Sequence, residues 1–262
     1  MIQHLKQVWQ FRYFWGSLVQ LDFRNRYRRS LLGIGWSMLN PLAMTVVFCI
    51  AFGTIMGVAD WRDFAPFLLA GLAVWNFIKE SLLYGCDAFV RGESYIRQAP
   101  LPFSIYPLRI VLGTFIHFMI SLVLVVVTVM VLKGSTDVLY RLVAVIPAVL
   151  LLVVFCWSIA TISAFAGAYF HDTKHLVEIG TQLLFFLTPI MYKPTLVVEK
   201  IGPWMLDLNP AAQFLMVISH PLADGSPVPP DAYFVLTTLT TALFGLACCT
   251  MAWLQKRLIF QL

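Results

Sequence analysis

Long apolar runs separated by short polar segments are the first feature of this chain that predicts structure. About twenty consecutive apolar residues suffice for a helix to cross the hydrocarbon core of a bilayer. Six runs reach or approach that length: from after residue 30 to about residue 58, then 64–84, 110–132, 142–170, 176–192 and 233–254. The pattern therefore predicts an all-α integral membrane protein with six transmembrane helices.

Residues 1–29 are amphipathic rather than uniformly apolar. Wound as a helix, they place on one broad face the residues Leu5, Val8, Phe11, Trp15, Leu18 and Val19. Arg12 interrupts any apolar core, so we do not expect a cleaved signal peptide. We predict an N-terminal amphipathic helix in the membrane interface, with an ordinary juxtamembrane helix as the alternative.

The segment between the fifth and sixth runs, residues 193–231, is too long for a tight connection. Its stretch 201–218 is too apolar for a solvated loop, yet Asp207, Asn209 and Pro210 interrupt it too much for a full crossing. We predict short re-entrant outer helices here, with a loose outer loop as the alternative.

The whole chain, residues 1–262, is then expected to form a single transmembrane domain. Its parts are the interface helix 1–29, spans one to five in 30–192, the re-entrant segment 193–231, and span six with the C-terminal tail in 232–262.

The composition excludes a soluble globular protein. Hydrophobic residues make up 60% of the chain and charged residues 12%, with a mean hydropathy of +0.82, whereas soluble domains carry about 25% charged residues. The five cysteines lack the spacing of metal ligands and are expected to be buried thiols, so we predict no metal site. The net charge of +5 does not indicate nucleic acid binding, because the basic residues lie between the apolar runs.

Basic residues are distributed unevenly between two sets of connecting segments. Twelve of the eighteen Lys and Arg fall in the N-terminal segment, residues 85–109, residues 171–175 and the C-terminal tail, and five fall in the alternate loops. Loops rich in Lys and Arg stay on the cytoplasmic side of a membrane. We therefore predict that both termini are cytoplasmic.

The segment from Arg24 to Pro41 combines a basic cluster with a helix entrance broken by glycines. The cluster, which we expect to contact anionic headgroups at the inner interface, consists of Arg24, Arg26, Arg28 and Arg29. The segment resembles the R-Y-x-x-S-x-L-G-x-x-W signature of type-2 ABC exporter permeases that move O-antigen, capsular polysaccharide or teichoic acid. The matching positions are Arg26, Tyr27, Ser30, Leu32, Gly33, Trp36 and Pro41.

The resemblance covers nearly the full length of the chain. It continues through Trp75, Asn76, Phe77 and Glu80, the loop 93–107, the turn 169–172, the span ending 185–192, and Asn209 with Pro210. His171 departs from the family, which usually has Arg before the aspartate of this second cytoplasmic turn. This departure leaves the charge partner of Asp172 open.

The resemblance implies that residues 85–109 dock on an ATPase. Prolines stiffen this loop, and its charged and apolar side chains suit a protein partner. The candidate docking residues are Glu93, Tyr95, Ile96, Arg97, Pro100 and Pro102. An ordinary solvated loop whose prolines end the spans is the alternative.

The family resemblance also implies that spans one and five line the substrate channel. A sugar polymer needs aromatic faces and neutral hydrogen-bonding groups along its path. The candidate channel residues are Trp36, Ser37, Asn40, Phe48, Gln182, Phe185, Thr188 and Tyr192. Packing between helices is the alternative role for each aromatic residue.

The chain contains no G-x-x-x-x-G-K-S/T phosphate loop, so ATP and Mg²⁺ are expected on a separate ATPase subunit. The chain itself is then not an enzyme and needs no cofactor of its own. The family pattern implies as partners a second copy of the chain (a homodimer), two nucleotide-binding ATPase subunits, undecaprenyl-linked polysaccharide and membrane lipids. It also implies a bacterial cytoplasmic (inner) membrane location.

Three other functions remain open at this point. A type-2 ABC exporter of a small lipid or drug would share the same fold. A membrane-embedded glycosyl- or acyltransferase would need a convergent acid–base constellation, and the chain offers only His171, Asp172 and His175. An ion-coupled transporter would need carboxylates at mid-membrane. The intramembrane His117 is expected to make an interhelical hydrogen bond rather than to relay protons.

Overall fold

The computed structural model describes residues 2–28, 30–56, 61–98, 101–192, 194–200, 202–223, 225, 228 and 230–258. Within these ranges all regular structure is helical. The helices are α1 (Ile2–Gln10), α2 (Arg12–Tyr27), α3 (Gly35–Met56), α4 (Trp61–Gly85), α5 (Ala88–Gln98), α6 (Ile105–Lys133), α7 (Val138–Tyr169), α8 (Thr173–Leu187), α9 (Pro194–Lys200), α10 (Trp204–Asp207), α11 (Pro210–Ala223) and α12 (Pro230–Leu258). The all-α prediction is confirmed.

Five of the described helices are long and apolar enough to cross a membrane. They are α3, α4, α6, α7 and α12, which correspond to the predicted spans one, two, three, four and six. The first span begins at Gly35 rather than just after Ser30, because a turn at Gly33, with φ +51°, precedes it. The third begins five residues earlier than predicted, at Ile105.

The predicted fifth span is shorter than expected. Helix α8 has 15 residues, which at 1.5 Å per residue reach about 22 Å, less than the roughly 30 Å of a bilayer core. It ends at Leu187 rather than at Tyr192, because Thr188 precedes Pro189 and takes the extended conformation that a following proline favours.

The N-terminal segment forms two helices rather than one. A turn at Phe11 separates α1 from α2, and the indole N–H of Trp15 donates to the Val8 carbonyl oxygen across the break at 3.1 Å. Leu18 and Val19 of the predicted apolar face are buried, and α2 packs against α6. The C-terminal part of the predicted apolar face therefore packs against the helix bundle.

Helix α4 lies at the centre of the bundle and contacts α3, α6, α7 and α11. The ring of Phe77 stacks on that of Phe118 in α6 at 5.1 Å between centroids. Where α4 ends, glycines bring it against α7. A Cβ on Gly167 would lie 2.3 Å from the Cys86 carbonyl oxygen, and one on Gly85 would lie 2.5 Å from Ser163 Oγ. Small residues at a crossing allow two backbones this approach.

Helix α11 packs along α4 and α7 and is largely buried. Asn209 caps its start: Oδ1 accepts from the backbone N–H groups of Ala211 at 3.0 Å and Ala212 at 3.3 Å, and Pro210 opens the helix. Phe214 lies 5.1 Å from Phe155 of α7 between ring centroids. The loose-loop alternative is therefore wrong for this helix.

Lys133 joins three helices where α6 ends. Its Nζ lies 2.7 Å from a carboxylate oxygen of Asp63 at the start of α4, and it donates to the Ala223 carbonyl oxygen at the end of α11, also at 2.7 Å. We call this the lysine end of the bundle. The other end, where α4 ends, α6 begins and α2 and α5 pack, is called the basic end.

Candidate functional site

A cavity of about 520 Å³ lies near the basic end, between α3, α4, α6 and the end of α2. Aromatic and hydrogen-bonding side chains line it, including Trp36, Ser37, Asn40, Asn76, Phe77, Glu80 and His117. Polar groups within apolar spans are costly unless they are satisfied or face a cavity. Three of the predicted channel residues, Trp36, Ser37 and Asn40, are thus brought to one site.

A hydrogen-bonded cluster closes one side of this cavity. The Ser37 hydroxyl lies 2.8 Å from Nδ1 of His117, the Tyr27 hydroxyl lies 3.2 Å from the same nitrogen, and Tyr27 also bonds Ser37 directly. Phe23 stacks on the imidazole with its centroid at 5.7 Å. The interhelical hydrogen bond predicted for His117 is confirmed, and it ties α2, α3 and α6 together.

The basic cluster of the sequence lies on α2 and just after it. Arg26 Nη2 lies 3.6 Å from a Glu80 carboxylate oxygen, and Arg24 and Arg28 are exposed. Arg29 lies outside the described residues. Ser30 accepts a hydrogen bond from the Gly33 N–H at 3.2 Å in the turn that leads to α3. This turn explains why the motif has Ser and Gly three residues apart.

The other predicted channel residues lie on α3, on α8 and in the segment directly after α8. Phe185 lies 6.5 Å from Phe48 and 5.7 Å from Trp75 between centroids. Thr188 is 1% exposed and its Oγ1 accepts from Asn209 Nδ2 at 2.9 Å. The Tyr192 hydroxyl donates to the Phe186 carbonyl oxygen at 2.9 Å. Gln182 has an exposed side chain on α8. Three of the eight residues therefore line the cavity, Phe48 and Phe185 contact each other, and Thr188 is buried.

The predicted docking loop is a helix, α5, packed on the bundle. Glu93 and Arg97 form a pair on its exposed side at 2.9 Å. Tyr95 makes an edge contact with Phe14 at 5.7 Å and, like Ile96 and Pro102, is half-buried. Pro100 lies outside the described residues. The exposed Val90 also faces outward here and was missed by the sequence reasoning.

The second turn contains His171 and Asp172, and the sequence left the charge partner of Asp172 open. His171 and Asp172 are exposed, and Asp172 makes no side-chain capping bond at the start of α8. Instead Lys174 Nζ lies 2.7 Å from Asp87, just after α4. The sequence signal that could have predicted this ion pair is the carboxylate of Asp87, which comes directly after a span and faces a basic turn. Among the described residues, no three His, Cys, Asp or Glu side chains are grouped to hold a metal ion.

Five helices that are long and apolar enough to cross a membrane define a multi-pass membrane protein, and two of its other features are the cavity between α2, α3, α4 and α6 and the aromatic side chains that line it. Residues 13–222 match the protein-family model described as ABC-2 type transporter, and the chain belongs to this family.

The chain is also similar to curated proteins along most of its length. It is 27% identical over 215 residues to the O-antigen export system permease protein RfbA of Klebsiella pneumoniae, covering 81% of this chain and 82% of that protein. It is 28% identical over 235 residues to the protein of the same name from Myxococcus xanthus, covering 87% and 89%.

Proposed function

We propose that the chain is the permease subunit of an ABC exporter that moves a lipid-linked polysaccharide, an O-antigen or capsular glycan, across the bacterial cytoplasmic membrane. The observation that carries the proposal is the similarity to O-antigen export permeases over more than four fifths of the chain. ATP hydrolysis, with its Mg²⁺, belongs to a separate subunit.

The proposed orientation places the basic end and both termini in the cytoplasm, because this end carries most of the Lys and Arg residues. Helix α8 then enters from the cytoplasmic side and crosses most of the membrane as the fifth span. Helix α11 starts beside its end, through the Asn209–Thr188 bond, and returns to the outer surface at Lys133. This course supports a re-entrant segment between spans five and six, within a single domain.

A path shared with a second copy of the chain accounts for the polar groups on α3 and α8. Both helices expose mainly apolar side chains, but Asn40 and Gln182 are also exposed. An amide that faces lipid has no hydrogen-bond partner. We therefore assign these two faces to the path between protomers, where the aromatic Trp36 and Phe185 can contact sugar rings.

The test is ATPase activity of the purified chain with the ATP-binding-cassette subunit encoded beside it. We expect the two to co-purify and undecaprenyl-linked glycan to raise the rate of ATP hydrolysis, because substrate transport and hydrolysis are coupled. Stimulation by a small lipid or drug but not by glycan would identify the alternative exporter. A chain that binds no ATPase and modifies the glycan itself would be a transferase.

Helix α5 is proposed as the ATPase-docking element, and Gly92 tests it. A Cβ at this position would lie 2.4 Å from Cδ1 of the buried Tyr106 ring in α6, so Gly92→Ala requires α5 to move away from α6. We expect ATPase association, measured by co-purification, to fall about tenfold, since overpacking costs about 1 to 3 kcal/mol.

The matched control is Gly16→Ala in α2, where a Cβ meets nothing within 4 Å. This variant should bind the ATPase as the native chain does. Equal association of both variants would argue against α5 as the docking element.

A further inference from the structure

A second cavity, of about 330 Å³, lies beside the first at the basic end. Helices α2, α4, α5 and α6 enclose it, and its lining includes Asp22, Asn25, Arg26, Tyr84, Arg91, Arg109 and His117. Three guanidinium groups and one carboxylate are the charged side chains among these residues. We call this cavity the arginine pocket.

Arg109 is the most buried of the three arginines, with its side chain 10% exposed. Two of its nitrogens donate to the two carboxylate oxygens of Asp22. Its third nitrogen, Nη1, is buried and has no hydrogen-bond partner among the described residues. A buried charged donor without an acceptor is costly, and because this atom has almost no exposed surface it contributes positive charge beside the cavity rather than a donor into it.

Arg26 and Arg91 both lie over the ring of Tyr84, at 5.7 Å and 5.3 Å from its centroid. Their carboxylate partners, Glu80 and Asp87, lie 3.6 Å away, beyond the roughly 2.7 to 2.9 Å of a strong charge-assisted hydrogen bond. Asp87 is held more closely by Lys174, at 2.7 Å. Both guanidinium groups therefore keep donors for another anion.

We infer that the arginine pocket binds the phosphate group of a lipid headgroup. Planar guanidinium groups bind phosphate through paired hydrogen bonds, and three arginines line this cavity. The volume suits a headgroup and is too small for a polymer. The exposed Leu39 of α3 lines the adjoining cavity, and together with the exposed Met44 further along the same helix it offers a surface for a lipid tail.

Two lipids could supply this phosphate: an anionic membrane phospholipid or an isoprenoid diphosphate carrier. Only the second source rests on the proposed export function. Binding itself is independent of transport, so it can be measured on the full chain without an ATPase or a glycan.

The experiment is a lipid titration of the delipidated full-length protein, followed by native mass spectrometry. The probes are phosphatidylglycerol, undecaprenyl diphosphate and, as a phosphate-free control, diacylglycerol. The variants are Arg91→Gln and the double variant Arg26→Gln/Arg91→Gln. Arg12→Gln, at the other end of α2 and outside the pocket lining, is the matched control.

We expect the double variant to bind the phosphate lipids at least about tenfold more weakly, because it loses at least one charge-assisted hydrogen bond to the phosphate. Arg91→Lys should retain part of the affinity, and Arg12→Gln all of it. Unchanged affinity in the double variant, or an equal loss for diacylglycerol, would overturn the inference. Binding of undecaprenyl diphosphate about tenfold tighter than that of phosphatidylglycerol would identify the carrier as the source. Similar affinities for the two lipids would identify the membrane phospholipid as the source.

Discussion

Gly167→Ala is expected to destabilise the protein by about 1 to 3 kcal/mol, the usual cost of overpacking. The added Cβ would lie 2.3 Å from the carbonyl oxygen of Cys86 and 3.0 Å from its carbonyl carbon. These are backbone atoms, which cannot rotate away as a side chain can. Helices α4 and α7 therefore have to separate, and the unfolding midpoint of the detergent-purified protein should fall.

Gly245→Ala in α12 is the matched control for this substitution. Gly245 is also helical, and a Cβ there meets nothing within 4 Å. Alanine favours helix over glycine, so this variant should unfold at the native midpoint or slightly above it. If both variants unfold at the same midpoint, the two helix backbones do not approach each other as closely as described.

Asp22→Ala is expected to produce the second large loss of stability. Arg109 would keep its buried charge without a counter-ion, a situation that costs about 3 to 5 kcal/mol when both partners are fully buried. Because the Asp22 side chain is 39% exposed, water screens part of this interaction, and we expect about 2 to 3 kcal/mol.

A double-mutant cycle separates the ion pair from other effects. Asp22→Ala/Arg109→Met removes both charges, so it should be less destabilised than the sum of the two single variants. Hydrogen exchange in α2 should rise most in Asp22→Ala, since the pair holds α2 on α6. Strictly additive losses would mean that the pair contributes nothing beyond its separate residues.

The sequence predicts the long helices well because lipid imposes a strong pattern on them. Trp61–Gly85 and Val138–Tyr169 were predicted to within four residues at each end. The break at Phe11 was missed, because neither proline nor glycine marks it. The predicted fifth span extended beyond the end of α8, because apolar residues continue past Thr188. The helix itself ends before Pro189.

The candidate sites were predicted only in part, because they depend on side chains far apart in the chain. Ser37 was named because the family resemblance implies that span one lines the channel, but its neighbour His117 lies eighty residues further on. The arginine pocket joins α2 to α6 through Asp22 and Arg109, which are 87 positions apart. Periodicity determines which face of a helix is apolar, and packing between helices determines which polar residues meet.

The contacts of Lys133 have a mechanical consequence for α11. A charged donor holds the end of this helix at Ala223, whereas a neutral amide–hydroxyl bond from Asn209 to Thr188 holds its start. Charge-assisted hydrogen bonds are roughly twice as strong as neutral ones. Of these two polar contacts the one at Lys133 is therefore the harder to break, and we expect any separation of α11 from its neighbours to begin at Asn209.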